Sequence, residues 1–264
     1  MPRTGAPRIG LHSHIDNPLA EATAAGAGAA QFFLGDPQDW KAPVIAGDPA
    51  AIKQAWADAG IEVYIHSPYP VNLASTNNRI RHPSRTIIKQ QLKAAASIGA
   101  KALIVHGGHV TAKDDPQDGL LNWAKAAEQI DRPIPLLIEN TAGGDGAMAR
   151  SLDMIGRLWE AVGGLDNVGF CLDTCHANSA GIDLSGAVDR IKAITGRIDL
   201  VHCNNSRDAF DSGQDRHANL TQGTIDPALL LGVIRAAGAP VICETPDATG
   251  DVRWLKAQLD AGES

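Results

Sequence analysis

The sequence contains no apolar run approaching the eighteen or so residues that a membrane-spanning helix requires. It also lacks the marks of a secretory leader. Met1-Pro2-Arg3-Thr4-Gly5 passes almost directly into an apolar run, with no separate hydrophobic core and cleavage site. The expected location is therefore the cytoplasm. Cysteine is scarce, with four among 264 residues. Cys171 and Cys175 have three residues between them, not the two of a redox pair. Cys171, Cys203 and Cys243 lie in apolar runs, where a free thiol behaves as a small hydrophobe. These positions describe core cysteines rather than a disulfide framework. Positive charge is in deficit as well, and a net −7 argues against a general nucleic-acid binder with a basic surface. Two features weaken that exclusion: bound divalent metals bring their own positive charge, and the segment 77–85, with three arginines, is locally basic.

What is present is the balance of a soluble globular chain, 44% hydrophobic and 20% charged. The length suits one large domain covering residues 1–264. Short apolar runs at 8–11, 30–34, 62–66, 102–106, 136–139, 168–173, 200–202 and 240–244 read as strands buried on both faces, because they are continuous rather than alternating. Helical patterns lie between them. Residues 83–98 carry Ile87, Ile88, Leu92 and Ala95 and stop at Gly99. Asp48-Pro49 and Asp226-Pro227 each look like a cap followed by proline in the first turn, and residues 251–259 close the chain. Strand and helix in alternation imply a parallel sheet covered by helices. Eight such units predict an α/β fold of the TIM (β/α)8 barrel type, with an open doubly wound sheet as the alternative.

The C-terminal ends of barrel strands build the active site in such folds. The third to eighth runs finish on His66, His106, Glu139, Asp173, His202 and Glu244. His176 follows Asp173 by three residues, and Asp215 and His217 follow the seventh run. Any one of these has an ordinary structural explanation, but unrelated accidents would not all choose the same edge. Glu139 and Glu244 end strongly apolar runs, where a buried carboxylate needs a cation or an arginine. Five histidines and four carboxylates form a nitrogen and oxygen donor set suited to zinc, manganese or iron. They are enough for two or three ions, an arrangement typical of phosphate ester hydrolysis.

Several segments carry a family resemblance. These are Val63-Tyr64-Ile65-His66-Ser67-Pro68-Tyr69, Ile104-Val105-His106-Gly107-Gly108-His109, Leu137-Ile138-Glu139-Asn140-Thr141-Ala142-Gly143-Gly144, Cys171-Leu172-Asp173-Thr174-Cys175-His176-Ala177, Val201-His202-Cys203-Asn204, Asp215-Arg216-His217 and Ile242-Cys243-Glu244-Thr245. Together with Ile9-Gly10-Leu11-His12, they run in order along nearly the whole chain. The pattern resembles the endonuclease IV family of apurinic/apyrimidinic endonucleases, and in particular its actinobacterial members. The resemblance implies a barrel holding three zinc ions, with manganese or iron as alternatives at one position. It implies hydrolysis of double-stranded DNA 5′ to an abasic site in base excision repair, leaving a 3′-hydroxyl. On this sequence His66, His106 and Glu139 would bind the first zinc. Glu139 would bridge to a second held by Asp173, His202 and Glu244, and His176, Asp215 and His217 would hold the third. Glu139 would assist deprotonation of the attacking water. Tyr69, Arg79, Arg81 and Arg216 are candidate DNA contacts, with Lys41 and Arg85 beside them. A monomer is expected, because one chain supplies every ligand.

Some positions depart from that family's pattern. His12-Ser13-His14-Ile15 replaces a His-Val-Ser type opening, Asn205 and Gln222 stand where acids are usual, and Asn178 replaces a bulky residue. The nearest rival is a metal-dependent sugar isomerase or epimerase on a related barrel. Such enzymes usually need fewer histidine ligands and often a lysine near the metal, and no lysine follows the strand ends here. A binder of damaged DNA without catalytic activity is a further reading, opposed by the full set of nine ligands.

Overall fold

The computed structural model describes residues 7–14, 16–144 and 146–261. The segment 1–5 and Ile15, both used in reading the sequence, lie outside them. Eight parallel strands close into a barrel: β1 (Ile9–His12), β2 (Ala29–Phe33), β3 (Glu62–His66), β4 (Ala102–His106), β5 (Leu136–Glu139), β6 (Val168–Asp173), β7 (Leu200–His202) and β10 (Val241–Cys243). Each pairs with its neighbour in chain order, and β1 closes the ring on β10 through Ile9–Val241, Gly10–Ile242 and Leu11–Cys243. Two two-residue strands, β8 (Asn205–Ser206) and β9 (His217–Ala218), form a small antiparallel ladder after β7. The open doubly wound alternative is thereby excluded.

Helices α1 (Pro18–Ala25), α2 (Pro49–Ala59), α3 (Asn78–Ser97), α4 (Pro116–Gln129), α5 (Leu152–Val162), α6 (Thr174–Ser179), α7 (Ala187–Thr195), α8 (Pro227–Ala237) and α9 (Ala248–Ala261) fill the connections and the chain end. Asp48 and Asp226 cap α2 and α8 as their sequences predict, each accepting a hydrogen bond from the second helical residue, with proline in the first turn. The start of α3 differs from expectation. Its cap is Asn77, whose side chain accepts from the Arg79 amide, so the helix begins five residues before Pro83 and carries that proline inside it. Residues 78–82 are polar or charged except Ile80, which leaves the first turn without an apolar period to read. All four cysteines are free and buried, consistent with packing roles.

Two layers of core follow from the pleat. Helix-facing side chains form one large cluster, including Leu11, Val63, Ile65, Leu103, Val105, Ile138 and Trp123. The barrel interior holds a smaller one: Ala29, Tyr64, Ala102, Ile104, Leu137, Cys171, Leu200 and Ile242. Gly10 completes this inner ring. A Cβ there would lie 2.2 Å from the Ala29 carbonyl oxygen, so only glycine lets β1 and β2 approach so closely. Side chains two residues apart on a strand share a face. The position two beyond the inner ring is therefore another inward-facing ring, and it reads His12, Gln31, His66, His106, Glu139, Asp173, His202 and Glu244. The barrel is apolar one layer down and wholly polar at its mouth.

Candidate metal centre

Register brings the polar ring together before any loop contributes. His106 lies directly opposite Glu139 across β4 and β5, and Asp173 opposite His202 across β6 and β7. Glu139 is fully buried at the centre. Its Oε2 lies 3.1 Å from His66 Nε2 and 3.4 Å from His106 Nε2, and its Oε1 lies 3.2 Å from both His202 Nδ1 and His176 Nδ1. His202 Nδ1 also faces Glu244 Oε2 at 3.3 Å. At the outer side Asp215 Oδ1 lies 3.1 Å from His176 Nε2 and 3.2 Å from His217 Nε2.

Three groups of donor atoms, each packed within 4.8 Å, collect all nine sequence candidates: His66, His106 and Glu139; Glu139, Asp173, His202 and Glu244; His176, Asp215 and His217. A fourth contains Asp173, Cys175 and His217. Glu139 belongs to two groups, as a bridging carboxylate would.

The histidines are held from behind. His66 Nδ1 lies 2.8 Å from the Ser67 carbonyl, His176 Nδ1 2.9 Å from the Asn140 carbonyl and His217 Nδ1 3.2 Å from the Glu244 carbonyl. A ring nitrogen that donates to a carbonyl leaves the opposite nitrogen's lone pair for a cation. Asn140 supports the same wall a second way, exchanging two hydrogen bonds with the Asp173 backbone. Asn204 donates to Asp173 Oδ2 at 2.6 Å and to Glu244 Oε2 at 3.3 Å.

The charge balance favours cations. Among the described residues no lysine or arginine pairs with Glu139, Asp173 or Glu244; every ion-pair partner is a histidine. Burial pushes the Glu139 carboxyl up, but His202, His106 and His176 around it hold it well below the usual carboxylate range. Glu244 is likewise held low against burial by His202 and His12. Asp173, where burial prevails, is raised. Burial opposes the charge on His176 and His202 too, yet Asp173, Asp215 and Glu139 lift His176, and Cys171, Glu244 and Glu139 lift His202, well above the ordinary histidine value. His176 Nε2 and His217 Nε2 are buried and satisfy no hydrogen bond, although Asp215 Oδ1 lies 3.1 and 3.2 Å away. Orphaned ring nitrogens beside uncompensated carboxylates fit divalent metals with a preference for nitrogen and oxygen donors.

A cavity of about 470 Å³ opens over this centre, lined by His12, Phe33, Tyr69, Arg207, Arg216 and Thr245 among others. A second of about 430 Å³ adjoins it across Tyr69, His106, His176 and Asp215. Tyr69 is half-exposed, with its ring parallel to His106 at 6.3 Å and edge-on to Phe33 at 5.3 Å. Burial and nearby carboxylates push its phenol up to about 12, so it stays a neutral donor. Arg216 lines the mouth while its guanidinium pairs with Asp208 on two sides. Arg81 donates to the Ser75 carbonyl at 2.7 Å and to Asn78, which ties it to its own helix start. Arg79 is exposed in the first turn of α3. Lys41 pairs with Asp39, and Arg85 reaches Gln129 and the Asn122 carbonyl.

Sequence reasoning missed Gln31, Asn204 and Arg207. Arg207 lines the mouth cavity and donates to the His217 carbonyl at 2.9 Å. Of the departures, Asn205 turns its amide away from the centre. It donates to the Leu220 and Ile225 carbonyls at 2.7 and 2.8 Å and accepts from the Ser206 and Ile225 amides. A carboxylate could make none of the donated bonds.

Residues 19–262 match the model of the xylose isomerase-like TIM barrel family, so the fold and the mouth-of-barrel site have their class. Within it the relatives are narrower. "Probable endonuclease 4" of Mycobacterium bovis (strain BCG / Pasteur 1173P2) is 56% identical over 239 residues, spanning 90% of this chain and 93% of that one. The crystal structure of endonuclease IV from Thermus thermophilus superposes with a TM-score of 0.82 at 30% identity, covering 97% of this chain and 100% of the other. The chain belongs to the endonuclease IV family of metal-dependent endonucleases. L-ribulose 3-epimerase shares the barrel, with a TM-score of 0.74 and 97% and 94% coverage, but at 20% identity it speaks for the fold alone.

Proposed function

We propose that this enzyme cleaves the phosphodiester 5′ to abasic sites in double-stranded DNA, leaving a 3′-hydroxyl, as a step of base excision repair in the cytoplasm. It would work as a monomer carrying three zinc ions. The observation that carries this reading is the grouping of nine histidines and carboxylates into three adjoining sets that share Glu139. Three sets exceed what a single Lewis acid needs and match what a phosphodiester demands, namely activated water, neutralised phosphoryl charge and a stabilised leaving oxygen.

Zinc ions at these sets would supply that Lewis acidity and charge. The chain's own residues do the rest. His66, His106 and Glu139 would hold one ion, Asp173, His202 and Glu244 with Glu139 a second, and His176, Asp215 and His217 the third. Glu139, ionised despite complete burial, is the assisting base whose oxygen takes the proton of the attacking water. Asn204 and Asn140 keep Asp173 aimed inward. Tyr69 stands at the rim, where a half-exposed ring can wedge against bases next to the lesion. An abasic nucleotide is cheap to rotate out, since it has no base to unstack. Neither mouth cavity has a lysine in its lining, which opposes the sugar isomerase reading.

The test is incision of a duplex oligonucleotide carrying one tetrahydrofuran abasic analogue, with and without a strong chelator, alongside metal analysis. Cleavage 5′ to the lesion that is lost on chelation, with about three zinc ions per chain, is expected. No cleavage by metal-replete protein sinks the proposal, and a single ion per chain counts against the three-ion centre.

A further inference from the structure

The polar ring contains one member that is neither a candidate ligand nor ionisable. Gln31 is fully buried on β2, opposite His12 in the strand register. Its side chain touches three neighbours in the ring. Nε2 lies 2.6 Å from Glu244 Oε1 and 2.8 Å from His12 Nδ1, and Oε1 lies 2.8 Å from His202 Nε2.

These contacts have only one consistent assignment. An ionised carboxylate can only accept, so the Gln31 amide must present its NH2 to Glu244. The amide oxygen then faces His202, and an oxygen can only accept, so His202 Nε2 must carry a proton. That leaves Nδ1 turned to Glu139 Oε1 at 3.2 Å and Glu244 Oε2 at 3.3 Å, the position of the second donor group. The second hydrogen of the Gln31 NH2 goes to His12 Nδ1. His66, His176 and His217 have their outward nitrogens on main-chain carbonyls, which no side-chain substitution at the partner removes. His202 depends on a side chain.

We propose that Gln31 is the positioning residue of the second metal set: it fixes the tautomer and ring orientation of His202 while orienting Glu244, so two ligands from different strands are set by one amide. The inference rests on the metal-centre reading above. A hydrogen-bonding partner behind a metal-bound histidine or carboxylate typically changes metal affinity by about ten- to a hundredfold.

The experiment compares the unsubstituted protein with Gln31→Met, which keeps length and burial but makes no hydrogen bond. Zinc affinity is measured by chelator competition, the metal-free melting point by calorimetry, and the His202 ring by 15N-edited NMR of ring-labelled protein. In the unsubstituted protein a slowly exchanging His202 Nε2–H resonance is expected both with and without zinc. In the variant that resonance is expected to exchange rapidly or vanish, and the weakest-bound zinc of the inner sets to be held about ten- to a hundredfold less tightly. The metal-free melting point should stay within a few degrees. A variant that keeps the protected resonance, or binds zinc within twofold of the unsubstituted protein, overturns the proposal. If Gln31→Met does not unfold cooperatively, Gln31→Ala, which cannot clash, takes its place. Absence of a protected Nε2–H in the unsubstituted protein overturns the proposal without any variant. Failure of the unsubstituted protein to take up zinc overturns the metal reading instead, while the ring resonance still decides the Gln31–His202 bond.

Discussion

The inner and outer parts of the centre are built differently. His66, His106, Glu139, Asp173 and His202 are the last residues of barrel strands, and Glu244 follows the last residue of β10. Their spacing is set by main-chain pairing, and Glu139, Asp173 and His202 are completely buried. His176, Asp215 and His217 come from a six-residue helix, a loop and a two-residue strand. The Asp215 side chain is 54% exposed. The loop before it is held by a backbone approach so tight that a Cβ on Gly143 would fall 2.2 Å from the Gly213 carbonyl oxygen. Strand-borne ligands are preorganised by the fold, while loop-borne ligands depend on local order that can be lost without unfolding the barrel. Metals in the inner sets should therefore be more tightly held than a metal in the outer one.

The strongest challenge to that division is Glu139→Gln. It removes the one carboxylate shared by two sets and leaves four histidines without their common counter-charge. We expect incision to fall by about a thousandfold or more, at the upper end of losses from single preorganised groups, with more than one zinc lost per chain. Loss of only one ion would show that the sets are independent. Asp215→Asn probes the outer set alone. Here one zinc should be lost, two retained, and incision reduced by about a hundredfold. Stepwise chelation of the unsubstituted protein should release one ion well before the other two. Simultaneous release of all three would erase the distinction between strand and loop ligands. Tyr69→Ala stands further out still. Its ring centroid lies 6.2 and 6.3 Å from those of His66 and His106 and it belongs to no donor set, so zinc content should not change, while an aromatic contact to a base contributes about 1–3 kcal/mol. A rise of roughly tenfold in KM for the abasic duplex is expected, and an unchanged KM would remove Tyr69 from the DNA surface.

The same division explains what can be read from the sequence. The eight strands are legible because each is a short continuous apolar run, and the ligands because each run breaks on a polar residue at the same end. The shared family segments then sort those ligands into sets. Gln31 escapes because β2 continues through Phe32 and Phe33, so the polar residue sits inside an apolar run rather than at its end. Counting two residues beyond the inner ring finds it, but that ring is visible only once the strands are paired. Asn205 stands in the sequence as a lost acid near the chemistry; its four hydrogen bonds show a residue that fastens the loop after β8. The start of α3 is hidden because a side-chain cap at Asn77 leaves no hydrophobic period.

The smallest expected effect comes from histidines of the mouth that are shifted in opposite directions. Burial lowers His12 to about 4 against the pull of Glu244, and lowers His106 to about 4 against the pull of Glu139. The His106 side chain is 26% exposed and that of His12 only 3%, so His12 contributes the larger share. An unfolded histidine titrates near 6.5. As pH falls from about 6.5 to 4, the unfolded chain binds protons that these two residues refuse in the folded state, so stability declines. His217 has the opposite sign. Burial opposes its charge, but its contact with Asp215 and the fields of Asp173 and Glu244 raise it to about 9. Its contribution is complete below about 6.5 and is lost as pH rises through 9, and His176 and His202 are shifted in the same direction. Metal-free protein should therefore melt highest near pH 6.5 and several degrees lower at both pH 4.5 and pH 9. Zinc replaces the proton on each bound ring, so the alkaline decline should disappear in the loaded protein and the gain on zinc binding should grow toward pH 9. A metal-free melting point that is flat across this range would show that the histidines of the mouth do not carry these opposed shifts.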